Sequence, residues 1–152
     1  MEWIIHFVAI WTVFTLLGGW KREELKKNIW CGIVSSALHL IIDTERISLG
    51  LYKIVNPVIS IWGSSFFFTF GASFVSGMLI AMLQPRTKWA KILHVILFTI
   101  VFTIEEYMLV KTGAVIYNRW SLFKGSIPIN ILAITFLSWF SIVVLEKGSQ
   151  KT

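Results

Sequence analysis

Residues 92–110 form a predominantly apolar run that contains two adjacent carboxylates, Glu105 and Glu106. The run is long enough to cross a bilayer, because a spanning helix needs about 20 mostly apolar residues. A charged side chain near the middle of a membrane helix costs about 3 kcal/mol on insertion scales. Two such side chains in succession therefore need polar partners or a function, and they mark the first place to look for a site.

The overall composition is typical of a membrane protein. The chain is 56% hydrophobic and 14% charged, whereas about 25% of the residues of a soluble domain are charged. The net charge of +6 does not indicate nucleic-acid binding, because the basic residues lie in short loops between apolar runs, where they act as topology signals and contact lipid headgroups. The single cysteine, Cys31, excludes an internal disulfide and a multi-cysteine metal site. No metal and no cofactor are predicted.

Five apolar segments predict an all-α integral membrane bundle of five transmembrane helices, which fills residues 1–152 as a single domain. The segments are 3–20, 28–42, 64–83, 92–111 and 128–145. The second reaches spanning length only by continuing through residues 43–46. Residues 47–63 are mixed in polarity and broken by Asn56, Pro57 and Gly63, which predicts an interfacial or re-entrant segment between helices 2 and 3. No internal repeat is visible in the sequence.

The basic residues predict the orientation, with the N-terminus outside and the C-terminus inside. This arrangement places nine of them on the inner side: Lys21, Arg22, Lys26, Lys27, Arg86, Lys88, Lys91, Lys147 and Lys151. Five fall on the outer side: Arg46, Lys53, Lys111, Arg119 and Lys124. The first segment lacks a basic n-region and a small-residue cleavage site, so we expect a retained anchor. The predicted location is the cell (inner) membrane, with several spans.

Polar residues of three segments are predicted to meet at one level in the outer half of the membrane. At 1.5 Å per residue, Glu105 and Asp43 lie about 21 Å from the inner boundary and Asn130 about 25 Å. Asp43 shares one helix stripe with Ser35, His39 and Arg46. Adjacent residues of a helix point in different directions, so Glu105 and Glu106 are expected to serve different neighbours. A stripe of small residues on the third segment, Ser65, Thr69, Ser73 and Gly77, predicts close helix packing.

Candidate roles follow from these positions. Glu105 and Glu106 are candidate catalytic general acids, and Asp43 and His39 are candidate orienting groups. The candidate ligand-binding residues are Arg46, Asn130, His94, Thr112 and Ser138. Structural alternatives stay open: His39 and His94 as hydrogen-bonded interior residues, and Asp43 with Arg46 as an ion pair.

Residues 105–113 (EEYMLVKTG) and 116–121 (IYNRWS) resemble a family of small, uncharacterised multi-spanning membrane proteins from Bacillus and Clostridium relatives. The resemblance also covers the basic turn after the first helix, and it implies an inner-membrane protein of a Gram-positive bacterium without supplying an activity. A weaker similarity links Phe102-Thr103-Ile104-Glu105-Glu106 to the Pro-x-Glu-Glu motif of small-subunit lycopene cyclases, although the proline is absent here.

Two functions of different classes fit these features. In the first, the polar cluster binds a lipid-like or amphipathic ligand, or a partner membrane protein, and the partners are membrane lipids and a second copy or another membrane protein. In the second, the protein is a membrane enzyme that acts on an isoprenoid or lipid by acid-initiated, cyclase-like chemistry. Membership of a transporter is a weaker third option, because no inverted repeat is visible.

Overall fold

The computed structural model describes residues 2–18 and 22–146, and within them the chain is mostly helical, with five α-helices. The helices are α1 (Glu2–Gly18), α2 (Arg22–Ser48), α3 (Phe74–Met82), α4 (Lys88–Lys111) and α5 (Ile127–Val143). Four short strands follow the C-terminal ends of α2 and α4: β1 (Tyr52–Ile54), β2 (Ser60–Ile61), β3 (Ser64–Ser65) and β4 (Val115–Tyr117). The all-α class is confirmed. Lys21, Lys147 and Lys151, which enter the orientation prediction, lie outside the described residues.

One prediction about the segment bounds is confirmed and one is wrong. Helix α2 continues beyond Asp43 to Ser48, as predicted from the length that a spanning helix needs. The predicted third helix is corrected: Ser64 and Ser65 pair with β2, and a π-helical segment, Phe68–Ser73, precedes the nine residues of α3. A second π-helical segment, Leu122–Ser126, precedes α5. Residues 47–63 contain β1 and β2, which the alternation of polar and apolar residues did not reveal.

Two helical stretches, Lys88–Lys111 and Leu122–Val143, are long and apolar enough to cross a membrane, by length and composition alone. Trp3–Leu16 and Phe68–Met82 are shorter apolar helical stretches. Only 22% and 28% of the apolar windows of the two long stretches are buried inside the protein. These helices therefore expose most of their apolar surface, unlike the core helix of a soluble protein.

Helix α3 packs against α2 through the predicted stripe of small residues. The Ser36 hydroxyl donates a hydrogen bond of 2.9 Å to the carbonyl oxygen of Thr69, and both side chains are buried. At Gly77 the two helices approach so closely that a Cβ would lie 2.5 Å from the Cβ of Ser35 and 2.6 Å from the carbonyl oxygen of Cys31. Small residues allow this approach because they bring the two backbones within contact distance.

We expect Gly77→Ala to lower the free energy of unfolding by about 1–3 kcal/mol, the range for overpacking a well-packed interior. The added methyl group overlaps the backbone of α2, so the helices must separate. Unfolding in detergent micelles measures the change. Ser76→Ala, one position along the same helix, is the matched control, and an equal loss in both variants would contradict the close-packing account.

A structural repeat relates residues 48–54 to residues 111–117, with an offset of 63 positions, and the π-helical segments that follow begin 54 positions apart because only the first unit contains β2 and β3. Ser48 and Lys111 end α2 and α4 at equivalent positions, and strands β1 and β4 begin and end at equivalent positions too. Gly50 and Gly113 have φ values of 67° and 77°, the left-handed conformation with which glycine terminates helices. Each unit continues through a π-helical segment into a returning helix, α3 or α5.

The two units join through their strands, which form an antiparallel pair above the ends of α2 and α4. Tyr52 pairs with Tyr117, Lys53 with Ile116 and Ile54 with Val115. When each residue of a pair is replaced by its equivalent in the other unit, 63 positions away, the pair Tyr52–Tyr117 becomes the pair Ile54–Val115. The pair Lys53–Ile116 stays unchanged, as two copies related by a two-fold axis require. The β1–β4 pair therefore bridges the two long helices.

Candidate functional site

A cavity lies between α2, α4 and α5, beneath the β1–β4 pair. It encloses about 620 Å³, counting the part that is open to the outside. Its ionisable lining residues come mainly from equivalent ends of the two repeat units: His39, Asp43 and Arg46 on α2, and Glu106 on α4. The remaining lining residues are Trp3, Ile42, Tyr52, Ile54, Phe68, Phe102, Leu109, Val115, Trp120, Ser126, Ile129 and Asn130.

Asp43 connects α2 to the strands above it. Its Oδ1 accepts a hydrogen bond from the hydroxyl of Tyr52 on β1, and its Oδ2 accepts one of 2.6 Å from the hydroxyl of Ser64 on β3. Nε2 of His39, one turn earlier on α2, lies 3.1 Å from Oδ2. Asp43 is 5% exposed, so these three neighbours replace the water that a carboxylate would otherwise bind. Both oxygens of Asp43 are occupied by the protein itself.

Glu106 has the equivalent role on α4, although its partners differ. Its Oε1 accepts hydrogen bonds of 2.5 Å from the hydroxyls of Tyr117 and Ser126, and Ser126 in turn accepts 2.8 Å from the indole N–H of Trp120. Its Oε2 accepts a longer bond, 3.4 Å, from the side-chain amide of Asn130. The hydrogen bonds of Oε1 therefore fix β4 and the π-helical segment Leu122–Ser126 to α4, whereas Oε2 can accept further hydrogen bonds.

The two tyrosines act as donors because they stay protonated. Burial, followed by the negative charge of Asp43, raises the pKa of Tyr52 above its ordinary value. Burial and the hydrogen bond to Glu106 raise the pKa of Tyr117 in the same direction. A phenol with a raised pKa keeps its proton at neutral pH, so each hydroxyl donates to its carboxylate.

Arg46 is the basic residue of the cavity, and its donors are largely unused. Nη1 donates 3.2 Å to the carbonyl oxygen of Ile42, and the guanidinium lies 4.9 Å from the centre of the Trp120 ring, a cation–π contact. Nε is buried without a hydrogen-bond partner among the described residues. Within the same residues, no carboxylate lies within ion-pair distance of Arg46. The predicted Asp43–Arg46 ion pair is therefore corrected: Asp43 pairs with His39.

A second chamber adjoins the first and extends between α2 and α5 toward the middle of the bundle; its lining includes neither a carboxylate nor Arg46. It shares His39, Ile42, Phe102, Ile129 and Asn130 with the first chamber. Its other lining residues are Ser35, Leu38, Ser73, Ala133, Ile134 and Leu137. We call the two the outer chamber and the inner chamber. Together they form one pocket that is charged below the strands and that is lined beyond His39 and Asn130 by aliphatic side chains with two serines, Ser35 and Ser73.

The structure brings some of the predicted site residues together and separates others. His39, Asp43, Arg46, Glu106 and Asn130 line the outer chamber. Glu105 does not line either chamber, and its Oε1 is buried without a partner among the described residues.

Three predicted ligand-binding residues lie elsewhere, so their assignment to this site is corrected. His94 is buried near the beginning of α4, Thr112 caps the end of that helix by donating to the carbonyl of Leu109, and Ser138 donates to Gln84 near the end of α5. His94 and Thr112 share a helix face but lie at opposite ends of α4.

Several residues of the site were missed: Tyr52, Ser64, Tyr117, Trp120 and Ser126. The sequence does contain a feature that could have indicated them: hydroxyl and indole donors follow the helix with Asp43 and the helix with Glu106, in each case within about 20 residues. No group of three His, Cys, Asp or Glu side chains suited to a metal ion occurs in residues 2–18 and 22–146.

Comparison with known protein families, curated proteins and solved structures finds no match for this chain.

Proposed function

We propose that the protein is a multi-pass protein of the cell membrane that binds an amphipathic, lipid-like molecule in the pocket formed by the two chambers. The observation that carries this proposal is the polarity of the pocket. Charged and aromatic groups line its outer chamber, and mostly aliphatic side chains line its inner chamber. A ligand with a polar head and an apolar tail matches both environments.

The membrane part of the proposal rests on the distribution of polarity, which is the reverse of that in a soluble protein: apolar residues are exposed and many polar residues are buried. Exposed positions of α4 carry Leu97, Ile100, Val101 and Ile104. Buried positions of the bundle carry serine, threonine, histidine and aspartate: Ser35, Ser36, Asp43, Thr69, Ser73, His94, Thr99, Ser138 and Ser141. Helices in lipid hydrogen-bond through polar residues at their interfaces and face the lipid with apolar ones. Five spans, with the β1–β4 pair on the outer side, fit this pattern and the excess of basic residues predicted inside.

The enzymatic alternative receives less support from the same geometry. A general acid must present a proton within hydrogen-bond reach of the reacting atom. Glu106 faces the outer chamber, but Tyr117, Ser126 and Asn130 all donate to its oxygens, so the protein itself uses it as a hydrogen-bond acceptor. Glu105 has an unpartnered oxygen and lines neither chamber.

Mass spectrometry of lipid extracted from the purified full-length protein tests the proposal. We expect wild-type protein to retain an amphiphile through detergent exchange, in near-stoichiometric amount. Ala133→Phe is expected to lower the retained amount about tenfold or more, because Ala133 lines the inner chamber and a phenyl ring there occupies the space of a tail.

Ala37→Phe is the matched control, since Ala37 is an exposed alanine on α2 and lines neither chamber. Equal retention of amphiphile by the wild type and both variants would show that the lipid is held at the outer surface and would overturn the proposal.

A further inference from the structure

Arg46 offers hydrogen-bond donors that the protein does not use. A guanidinium carries five N–H donors, and within the described residues one nitrogen, Nη1, donates to a carbonyl. Nε is buried and unpartnered in the part of the chain that the structure describes, while the ring of Trp120 covers one face of the group. A planar group with free donors, held beside an aromatic ring, is suited to a phosphate or carboxylate.

The charges around Arg46 disfavour an anion that carries no positive charge. Asp43 and Glu106 line the same outer chamber, and the Tyr52 hydroxyl lies within the field of both carboxylates and of Arg46. His39 already pairs with Asp43. A ligand that adds only negative charge would therefore be repelled by Glu106 while Arg46 attracts it.

Glu106 supplies the complementary position. Its Oε2 has one long hydrogen bond, 3.4 Å from Asn130, whereas Oε1 has two of 2.5 Å. A carboxylate oxygen with free lone pairs accepts a hydrogen bond from an ammonium group. A primary ammonium has N–H donors, and a quaternary one has none.

We infer that the pocket selects a zwitterionic amphiphile in which a phosphate and a primary ammonium are neighbours, the headgroup chemistry of phosphatidylethanolamine. This inference rests on the proposed function and names its ligand class. The phosphate binds Arg46, the ammonium binds Oε2 of Glu106, and one acyl chain enters the inner chamber past Ile129 and Ala133. The ligand leaves the net charge of the outer chamber unchanged.

The headgroup preference is tested on wild-type protein by titrating it in detergent with dioleoyl lipids and counting bound lipid by native mass spectrometry. We expect dioleoyl phosphatidylethanolamine to bind about tenfold more tightly than dioleoyl phosphatidylcholine, which lacks N–H donors, and dioleoyl phosphatidylglycerol, which lacks the cation. Equal binding of the three lipids, or tighter binding of either of the latter, would overturn the inference. Soluble phosphoethanolamine, which has no acyl chain, tests whether the chain contributes to binding. An affinity equal to that of the lipid would overturn the assignment to a lipid.

Two variants locate the preference. Glu106→Gln is expected to bind phosphatidylethanolamine and phosphatidylcholine equally, whereas Glu105→Gln, at a neighbouring position that lines neither chamber, is expected to keep the preference. Arg46→Gln is expected to weaken phosphatidylethanolamine binding about tenfold, while Lys53→Gln, an exposed basic residue on β1, leaves it unchanged. A preference that survives both Arg46→Gln and Glu106→Gln would contradict the inference.

The outcomes separate this inference from the proposed function. If the wild type binds the three lipids equally and Ala133→Phe abolishes the binding of all three, the pocket binds amphiphiles and the headgroup assignment fails. If Ala133→Phe changes the binding of none of them, both the proposed function and the inference fail.

Discussion

Replacing Glu106 by alanine is expected to lower the free energy of unfolding by about 3–5 kcal/mol, because hydrogen bonds to a charged group contribute about 1.5–3 kcal/mol each. The change removes the acceptor of Tyr117 and Ser126 together and leaves both hydroxyls without their partner. It also releases the Trp120–Ser126 contact that fixes the π-helical segment before α5. Chemical unfolding in detergent micelles, followed by tryptophan fluorescence, measures the loss.

The adjacent glutamate supplies the control for this prediction. Glu105→Gln is expected to change stability by about 0.5 kcal/mol or less, or to stabilise, since it neutralises a carboxyl whose Oε1 is buried without a partner in the described part of the chain. Losses of equal size at positions 105 and 106 would show that charge in the helix, and not the hydrogen-bond network, determines the effect.

Replacing Asp43 by alanine is expected to cost about 3–5 kcal/mol, the range for removing one partner of a buried charge pair. Asp43 accepts from Tyr52 and Ser64 and pairs with His39, so three buried polar groups lose their partner at once. The strands above α2 are expected to loosen first. Unfolding measurements give the global loss, and hydrogen exchange of the β1 and β3 amides reports the local one.

Glu45→Ala is the matched control for Asp43, because it removes the same charge from an exposed position two residues along α2. We expect a change of about 0.5 kcal/mol or less. Unaltered exchange of the strand amides in the Asp43 variant would contradict the role of Asp43 as their anchor.

Helices α1, α4 and α5 were predictable because each is a long apolar run, and α2 because its short apolar run had to be extended to reach spanning length. The convergence of polar residues followed from their depth along α2, α4 and α5. Counting residues placed Asp43, Glu105 and Asn130 at about one level. Asp43 and Asn130 line the outer chamber, but the glutamate that lines it is Glu106, and Glu105 lines neither chamber. The strands were not predictable, since three-residue elements carry no periodicity. His94 and Ser138 were misplaced because a shared helix face says nothing about distance along the axis.

The repeat could also not be recognised from the sequence, for a physical reason. Residues 63 positions apart coincide in identity at few places, among them Ile33 with Ile96 and Gly50 with Gly113. The turn after each helix requires a left-handed residue, so glycine is retained at both positions. Other equivalent positions need only the right polarity, as Asp43 and Glu106 illustrate. Their different partners in the two units make the outer chamber asymmetric.

The measurement that tests the central claim most directly is the sidedness of the two ends of α4. Arg86 and Lys111 are exposed residues that flank this helix, and its 24 residues span about 36 Å at 1.5 Å per residue. We predict that an impermeant maleimide labels Lys111→Cys in intact cells and labels Arg86→Cys only after the membrane is permeabilised. Labelling of both positions from the same side would contradict a bundle that crosses the membrane and, with it, a pocket open to its outer half.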